Sequence, residues 1–150
     1  MGIKIIARNK RASYDYFLEK KYEAGMVLTG TEVKSLRNGK CSINEAHIII
    51  DEFGEAWANN ISIPPYEFGN IHNHEETRKR KLLLSKKEIV EIGHEMAIKR
   101  LTLVPISIYF KGSIVKLEIA LAKGKKLHDK REDSAKKDVE RKIKRGLFED

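Results

Sequence analysis

Residues 103–121 read LVPISIYFKGSIVKLEIAL. Two apolar runs, 103–110 and 114–121, flank Lys111-Gly112-Ser113, a short connection with glycine in it. That pattern predicts an antiparallel hairpin. A second hairpin is expected upstream, where 46–51 (AHIIID) and 55–62 (EAWANNIS) flank Glu52-Phe53-Gly54. Pro64-Pro65 then ends strand structure, and residues 66–77 read as a loop. Between the hairpins, Ile89, Ile92 and Met96 recur at helical spacing behind a Ser85-x-x-Glu88 capping box, which predicts a helix over 85–99.

Further toward the N-terminus, SYDYFLEKKYEAG (13–25) reads as a helix. Ser13 is a good N-cap, Tyr14, Phe17 and Leu18 share a face, and Gly25 can terminate it. Residues 26–37 (MVLTGTEVKSLR) read as a strand bent at Gly30. Chain length fits one domain. Five or six short antiparallel strands with two helices predict a mainly β fold with flanking helices (α+β), a small antiparallel OB-like barrel over residues 1–122.

Residues 123–150 differ in kind. Lys123 to Arg145 carries 11 basic and 5 acidic side chains, with Leu127, Val139 and Ile143 as its only large apolar ones. Such a segment buries too little surface to fold alone, so a basic C-terminal tail, disordered when free, is expected. Ala135, Val139, Ile143 and Leu147 nevertheless recur every four residues, a narrow helical stripe suited to folding on a charged partner.

The formal charge of +8 is unevenly spread: +5 over residues 1–40, −7 over 41–76, +6 over 77–122 and +4 over 123–150. Segregation of this kind points to a polyanionic partner on one face. No apolar run is long enough to cross a membrane, and the N-terminal apolar patch is too short for a signal peptide, so a cytoplasmic protein without a membrane partner is expected. A single cysteine, Cys41, excludes an internal disulfide and a cysteine-based zinc site. No phosphate-binding glycine loop, H-E-x-x-H or G-x-S-x-G occurs. His72-Asn73-His74 beside Glu75-Glu76 lacks a third ligand at metal-binding spacing and reads as a polar loop. Trp57 reads as core and Cys41 as incidental. No catalytic residue, metal or cofactor is implied.

Three basic motifs remain: Gly30-Thr31-Glu32-Val33-Lys34-Ser35-Leu36-Arg37, Arg78-Lys79-Arg80-Lys81-Leu82-Leu83-Leu84, and Gly124-Lys125-Lys126-Leu127-His128-Asp129-Lys130-Arg131. Together they make nucleic-acid binding the leading class. In this order, with Asn9-Lys10-Arg11-Ala12 before them and Val104-Pro105 through Tyr109-Phe110-Lys111 between the last two, they resemble the small protein B (SmpB) family over about residues 6 to 131.

The resemblance implies an OB-like barrel that binds the tRNA-like domain of transfer-messenger RNA in place of a missing anticodon arm. It implies delivery of that RNA to stalled bacterial ribosomes for trans-translation. The partners would be transfer-messenger RNA and the small-subunit RNA of the ribosome, and the protein would act as a monomer without chemistry of its own. Carried over by position, the RNA-facing residues would be Asn9, Lys10, Glu23, Glu32, Lys34, Arg37, Leu83, Ser85 and Lys116. Glu23 would close the first helix; from the residues alone, Glu32, Lys34 and Arg37 can project from a strand face next to Gly30. The tail in the decoding centre and mRNA channel would use Gly124, Lys125, Lys126, His128, Asp129, Lys130 and Arg131, with Val139 and Ile143 on the helical stripe. Ser85 stands where the family often has Asn or His, and Glu75-Glu76 stands for a common Asp-Pro. A general single-stranded RNA-binding or ribosome-associated OB protein remains an alternative. So does a metal-dependent RNA hydrolase built on His72, His74, Glu75 and Glu76, although that set lacks the spaced carboxylates of two-metal chemistry.

Overall fold

The computed structural model describes residues 2–69, 73–126, 130 and 131. Its elements run β1 (Ile3–Arg8), α1 (Ala12–Asp15), β2 (Tyr16–Met26), α2 (Gly30–Arg37), β3 (His47–Ile50), β4 (Ala56–Asn59), β5 (Arg80–Leu83), α3 (Lys86–Lys99), β6 (Thr102–Lys111) and β7 (Ile114–Gly124). Both expected hairpins are present, as β3–β4 and β6–β7, and Gly54 and Gly112 take positive φ at their turns. The helix expected over 85–99 forms as α3, with both halves of the Ser85–Glu88 capping box in place.

The strands make one antiparallel sheet of seven in the order β1-β6-β7-β2-β5-β4-β3, which curls until β3 comes against β6. Its inner face holds Tyr22, Ala24, Leu82, Leu103, Ile108, Leu117, Ile119 and Leu121, packed with Leu36 of α2 and Ile92 of α3. A mainly β barrel with flanking helices is therefore the fold, and the described residues form seven strands and three helices where five or six strands and two helices were expected.

Two segments differ from their sequence reading. Of the expected helix 13–25 only residues 13–15 are helical, as part of α1, and Ser13 lies inside that turn, not at its cap. The rest is β2, which pairs with both β7 and β5. A bulge at Glu19 hides the strand period. Tyr16 and Leu18 face outward before it, whereas Tyr22 and Ala24 face inward after it. One extra residue thus inverts which positions point to the core, and the alternation that marks a strand is broken.

The expected strand 26–37 is also overturned from Gly30 onward, where α2 begins. Thr29 and Glu32 form a capping box in which Thr29 Oγ1 accepts from the Glu32 amide at 3.4 Å and the Glu32 carboxylate accepts from the Thr29 amide at 2.8 Å. Val33 and Leu36 turn toward the core at i, i+3. Gly30 opens the helix and makes no bend in a strand.

Candidate nucleic-acid interface

Residues directly opposite in an antiparallel ladder project to the same side of the sheet. The register therefore lays out the outer face residue by residue. Leu83 lies opposite Gly25, Gly25 opposite Lys116, Lys116 opposite Tyr109, and Tyr109 opposite Ile5. This row crosses β5, β2, β7, β6 and β1. Beside it, Glu23 lies opposite Glu118, and Glu118 opposite Ser107.

Leu83 is 53% exposed, although Leu82 before it is buried and Leu84 after it half-buried. It leans over Gly25, where an added Cβ would stand 3.3 Å from Leu83 Cβ. Glycine there lets the leucine lie flat on the sheet and offer an apolar platform. The Glu23 carboxylate accepts from the Tyr109 hydroxyl and from the Lys111 ammonium, the latter at 3.3 Å. Those bonds, the Tyr109 one first, hold the Glu23 carboxyl below its ordinary range despite partial burial. Burial and the Glu23 charge push the Tyr109 phenol up, so it stays a donor at neutral pH. Lys116 stands next to the pair and adds to the field that keeps Glu23 ionised.

The structure thus gathers Glu23, Leu83 and Lys116 on one surface. Glu23 is a strand residue and closes no helix, because the helix expected there is β2. Lys10 is exposed and borders a cleft on this face with Arg8, Lys21, Ser107 and Glu118. Asn9 is half-buried and works for the barrel: its amide nitrogen donates to the Pro105 carbonyl at 3.0 Å, and its side-chain oxygen accepts from the Arg11 amide at 3.3 Å. Ser85 is exposed at the start of α3, and its hydroxyl accepts from the Glu88 amide at 3.1 Å.

Glu32 is a correction. It was expected to face RNA from a strand, yet it lies on α2 and is fully buried. Its carboxylate accepts from Arg80, itself fully buried, and from Arg78 at 2.6 and 3.2 Å. Burial alone would raise its pKa, but the bonds from Arg78, the Thr29 amide and Arg80 outweigh that and hold it below the usual range. Arg80 spends its remaining donors on the carbonyls of Ile61, Arg78, Glu75 and Glu76. Glu32 therefore clamps α2 to β5 and presents no surface to a partner. Sequence reasoning missed this role, although Thr29-x-x-Glu32 is a capping signature of the kind seen at Ser85.

Lys34 and Arg37 are exposed on α2 but apart from the row. Lys34 stands 5.5 Å from the Tyr66 ring centre, and Arg37 lines a cleft with Lys4, Phe110, Gly112 and Ser113. Lys34 projects from a helix and not from a strand. Trp57, expected in the core, is half-buried on the outer face with Lys79 4.4 Å over its ring.

Metal chemistry finds no support in the loop at 73–76. His74 is buried, and its Nε2 lies 2.7 Å from the Ile63 carbonyl, so that nitrogen carries the proton; Nδ1 accepts from the Thr31 hydroxyl at 2.8 Å. Both ring nitrogens are thus committed. Among the described residues no three potential ligands cluster, and His72 lies outside them. Burial pushes the Cys41 thiol up to about 12 against the pull of Arg80, so it stays protonated at neutral pH.

At the far end of β7, Gly124 pairs with Tyr16, and the Lys125 amide donates to the Asp15 carbonyl at 2.8 Å. Lys125 is half-buried, with its ammonium 4.8 Å from the Phe17 ring centre. Lys126 and Arg131 are exposed, and Lys130 pairs with Asp15 at 3.1 Å. His128, Asp129, Val139 and Ile143 lie outside the described residues, as does the stripe expected over 132–147.

Comparison with known proteins identifies the family. Residues 6–149 match the family described as SmpB protein. An SsrA-binding protein of Pelobacter propionicus is 51% identical over 147 residues, covering 98% of this chain and 96% of its own length. One of Lachnoclostridium phytofermentans is 56% identical over 140 residues, covering 93% and 90%. A solved structure described as "tmRNA-SmpB: a journey to the center of the bacterial ribosome" superposes with a TM-score of 0.67 at 43% identity, covering 84% of this chain and 92% of that one. With a family match over nearly its whole length and relatives at half identity, this chain belongs to the SmpB family.

Proposed function

We propose that the protein binds the tRNA-like domain of transfer-messenger RNA through the outer sheet face and delivers it to stalled ribosomes for trans-translation. The observation that carries this reading is the row Leu83–Gly25–Lys116–Tyr109 with Glu23 beside it. An exposed leucine laid flat over a glycine is a platform for a nucleoside face. Cations on both sides supply phosphate contacts. Glu23 cannot attract phosphate. Its oxygens can accept from a ribose hydroxyl or a base N–H, and its bonds to Tyr109 and Lys111 hold it in place for that.

Work on the ribosome falls to the basic segment after β7, in the decoding centre and the mRNA channel. Delivery to ribosomes makes this a cytoplasmic protein, and among the described residues no helix is long and apolar enough to cross a membrane. Competition for the protein between transfer-messenger RNA and ordinary elongator tRNA tests the reading. Transfer-messenger RNA should displace the tRNA; equal competition by any single-stranded RNA would favour a general RNA-binding role.

A further inference from the structure

The short helix α1 receives the chain that follows β7. Lys125 donates its amide to the Asp15 carbonyl at 2.8 Å and its ammonium to the Ser13 carbonyl at 2.9 Å. Lys130 then comes back to the same helix, with its ammonium 3.1 Å from the Asp15 carboxylate and 5.3 Å from the Tyr14 ring centre. Arg11 reaches the same two groups, at 3.3 Å from Asp15 and 5.2 Å from the Tyr14 ring centre. The Lys130 amide also donates to the Lys126 carbonyl at 3.1 Å. The bonds from Arg11 and then Lys130 hold the Asp15 carboxyl below its ordinary range, so the post stays charged at neutral pH.

We propose that Asp15, with the Tyr14 ring, is a positioning residue for ribosome rescue: it captures Lys130 and so sets where and in which direction residues 132–150 leave the barrel. The proposal rests on the functional reading above and deepens it. Asp15 lies outside the outer-face row, so it acts on the tail and not on RNA capture. The physical reason is tether geometry. If the chain were held only as far as Lys125, Lys130 would range over about 12 Å, the reach of five flexible residues. Capture at Asp15 removes that freedom before the ribosome is met, which raises the effective concentration of the remaining 19 residues at their target. It also gives Lys130 a purpose within the protein: its charge is used to orient the chain before any phosphate is near.

The test uses the full chain in four variants: Asp15→Asn, Lys130→Ala, the double substitution, and Asp15→Glu. Each is measured twice, by titration with transfer-messenger RNA and by peptide tagging on stalled ribosomes in a reconstituted system. RNA affinity should stay within about twofold throughout. Tagging should fall about fivefold in Asp15→Asn, the scale of a partly exposed ion pair. Lys130→Ala should lose a similar amount, the double variant no more than either single, and Asp15→Glu should retain tagging. Full tagging in Asp15→Asn would overturn the proposal and leave the RNA-binding reading intact. Additive losses would show that the two residues act separately. A loss of RNA affinity in Asp15→Asn would place the residue in the RNA site and also overturn it. Failure of the unaltered protein to bind the RNA would instead refute the functional reading.

Discussion

Tyr109 and Glu23 stand on strands that do not pair with each other, and their side chains meet over β7, which runs between them. The bond ties the two flanks of the proposed RNA face together and fixes a carboxylate in the middle of a basic surface. Tyr109→Phe removes only the hydroxyl. It should weaken transfer-messenger RNA binding by about threefold to tenfold, the range of one ordinary net hydrogen bond, with little change in thermal stability. The pH dependence has a definite sign. Glu23 is held below its ordinary range in the fold, so its contribution is present at neutral pH and is lost as pH falls through that lowered value. Without the hydroxyl the Glu23 carboxyl rises toward its ordinary range, so binding titrations should show the variant losing affinity at a higher pH than the unaltered protein.

Lys116 faces the same surface from β7. If it contacts a phosphate, Lys116→Ala should flatten the dependence of log affinity on log salt by about 0.7 to 0.9, one counterion's worth. Titrations between low and moderate salt measure this directly. An unchanged slope would mean that Lys116 serves only the local field around Glu23.

Leu83 and Gly25 make a paired prediction. Leu83→Ala should cost little stability, because the side chain is largely exposed, and should reduce RNA affinity about tenfold. Gly25→Val keeps Leu83 but puts branches where a Cβ already stands 3.3 Å from it. The leucine must then lift off the sheet, and RNA affinity should fall although the leucine is still there. Intact affinity in Gly25→Val would show that the flat pose is not what RNA meets.

The Glu32–Arg80 pair predicts a stability defect without a specific binding defect. Glu32→Ala leaves a fully buried guanidinium short of its anion, and should cost about 3–5 kcal/mol in denaturant unfolding. Glu32→Gln keeps an acceptor and should cost less. Because the Glu32 carboxyl is lowered in the fold, its contribution is complete above the unfolded carboxyl value of about 4.3 and fades as pH falls below it. In unfolding curves the gap between the variant and the unaltered chain should be widest at neutral pH and should narrow as pH falls below about 4.3.

Removal of residues 132–150 should leave affinity for transfer-messenger RNA nearly unchanged and abolish tagging on stalled ribosomes. Parallel titration and tagging assays check both halves. Loss of both would place the tail within the main RNA site.

Hairpins and α3 were legible because their signals are local: a glycine turn between apolar runs, and a capping box ahead of a helical stripe. Motif order made the family legible as well. Less legible was anything decided by partners distant in sequence. Tyr14, Phe17 and Leu18 fit one helical face, and only pairing of Tyr16–Gly25 with β7 makes that segment a strand. Thr29-x-x-Glu32 carried a helix signal that the β-branched neighbours masked. Glu32 looked like a surface carboxylate because the two arginines that bury it lie 46 and 48 positions away. Leu83 and Lys116 were nameable by resemblance, but their shared row depends on β2 lying between β5 and β7, and no spacing in the sequence reports that.

The bulges at Ile6, Glu19 and Ile106 have a consequence for what kinds of genetic change this sheet tolerates. Each acts as a phase shifter, reversing which alternate residues serve the core and which serve the surface. Deleting Glu19 would leave every side chain chemically intact, yet it would exchange the roles of Tyr16 and Leu18 with those of their neighbours. Either the proposed RNA face or the core would then receive the wrong set. Many substitutions along β2 should cost less than that one missing residue, so length, more than composition, is what this strand must keep.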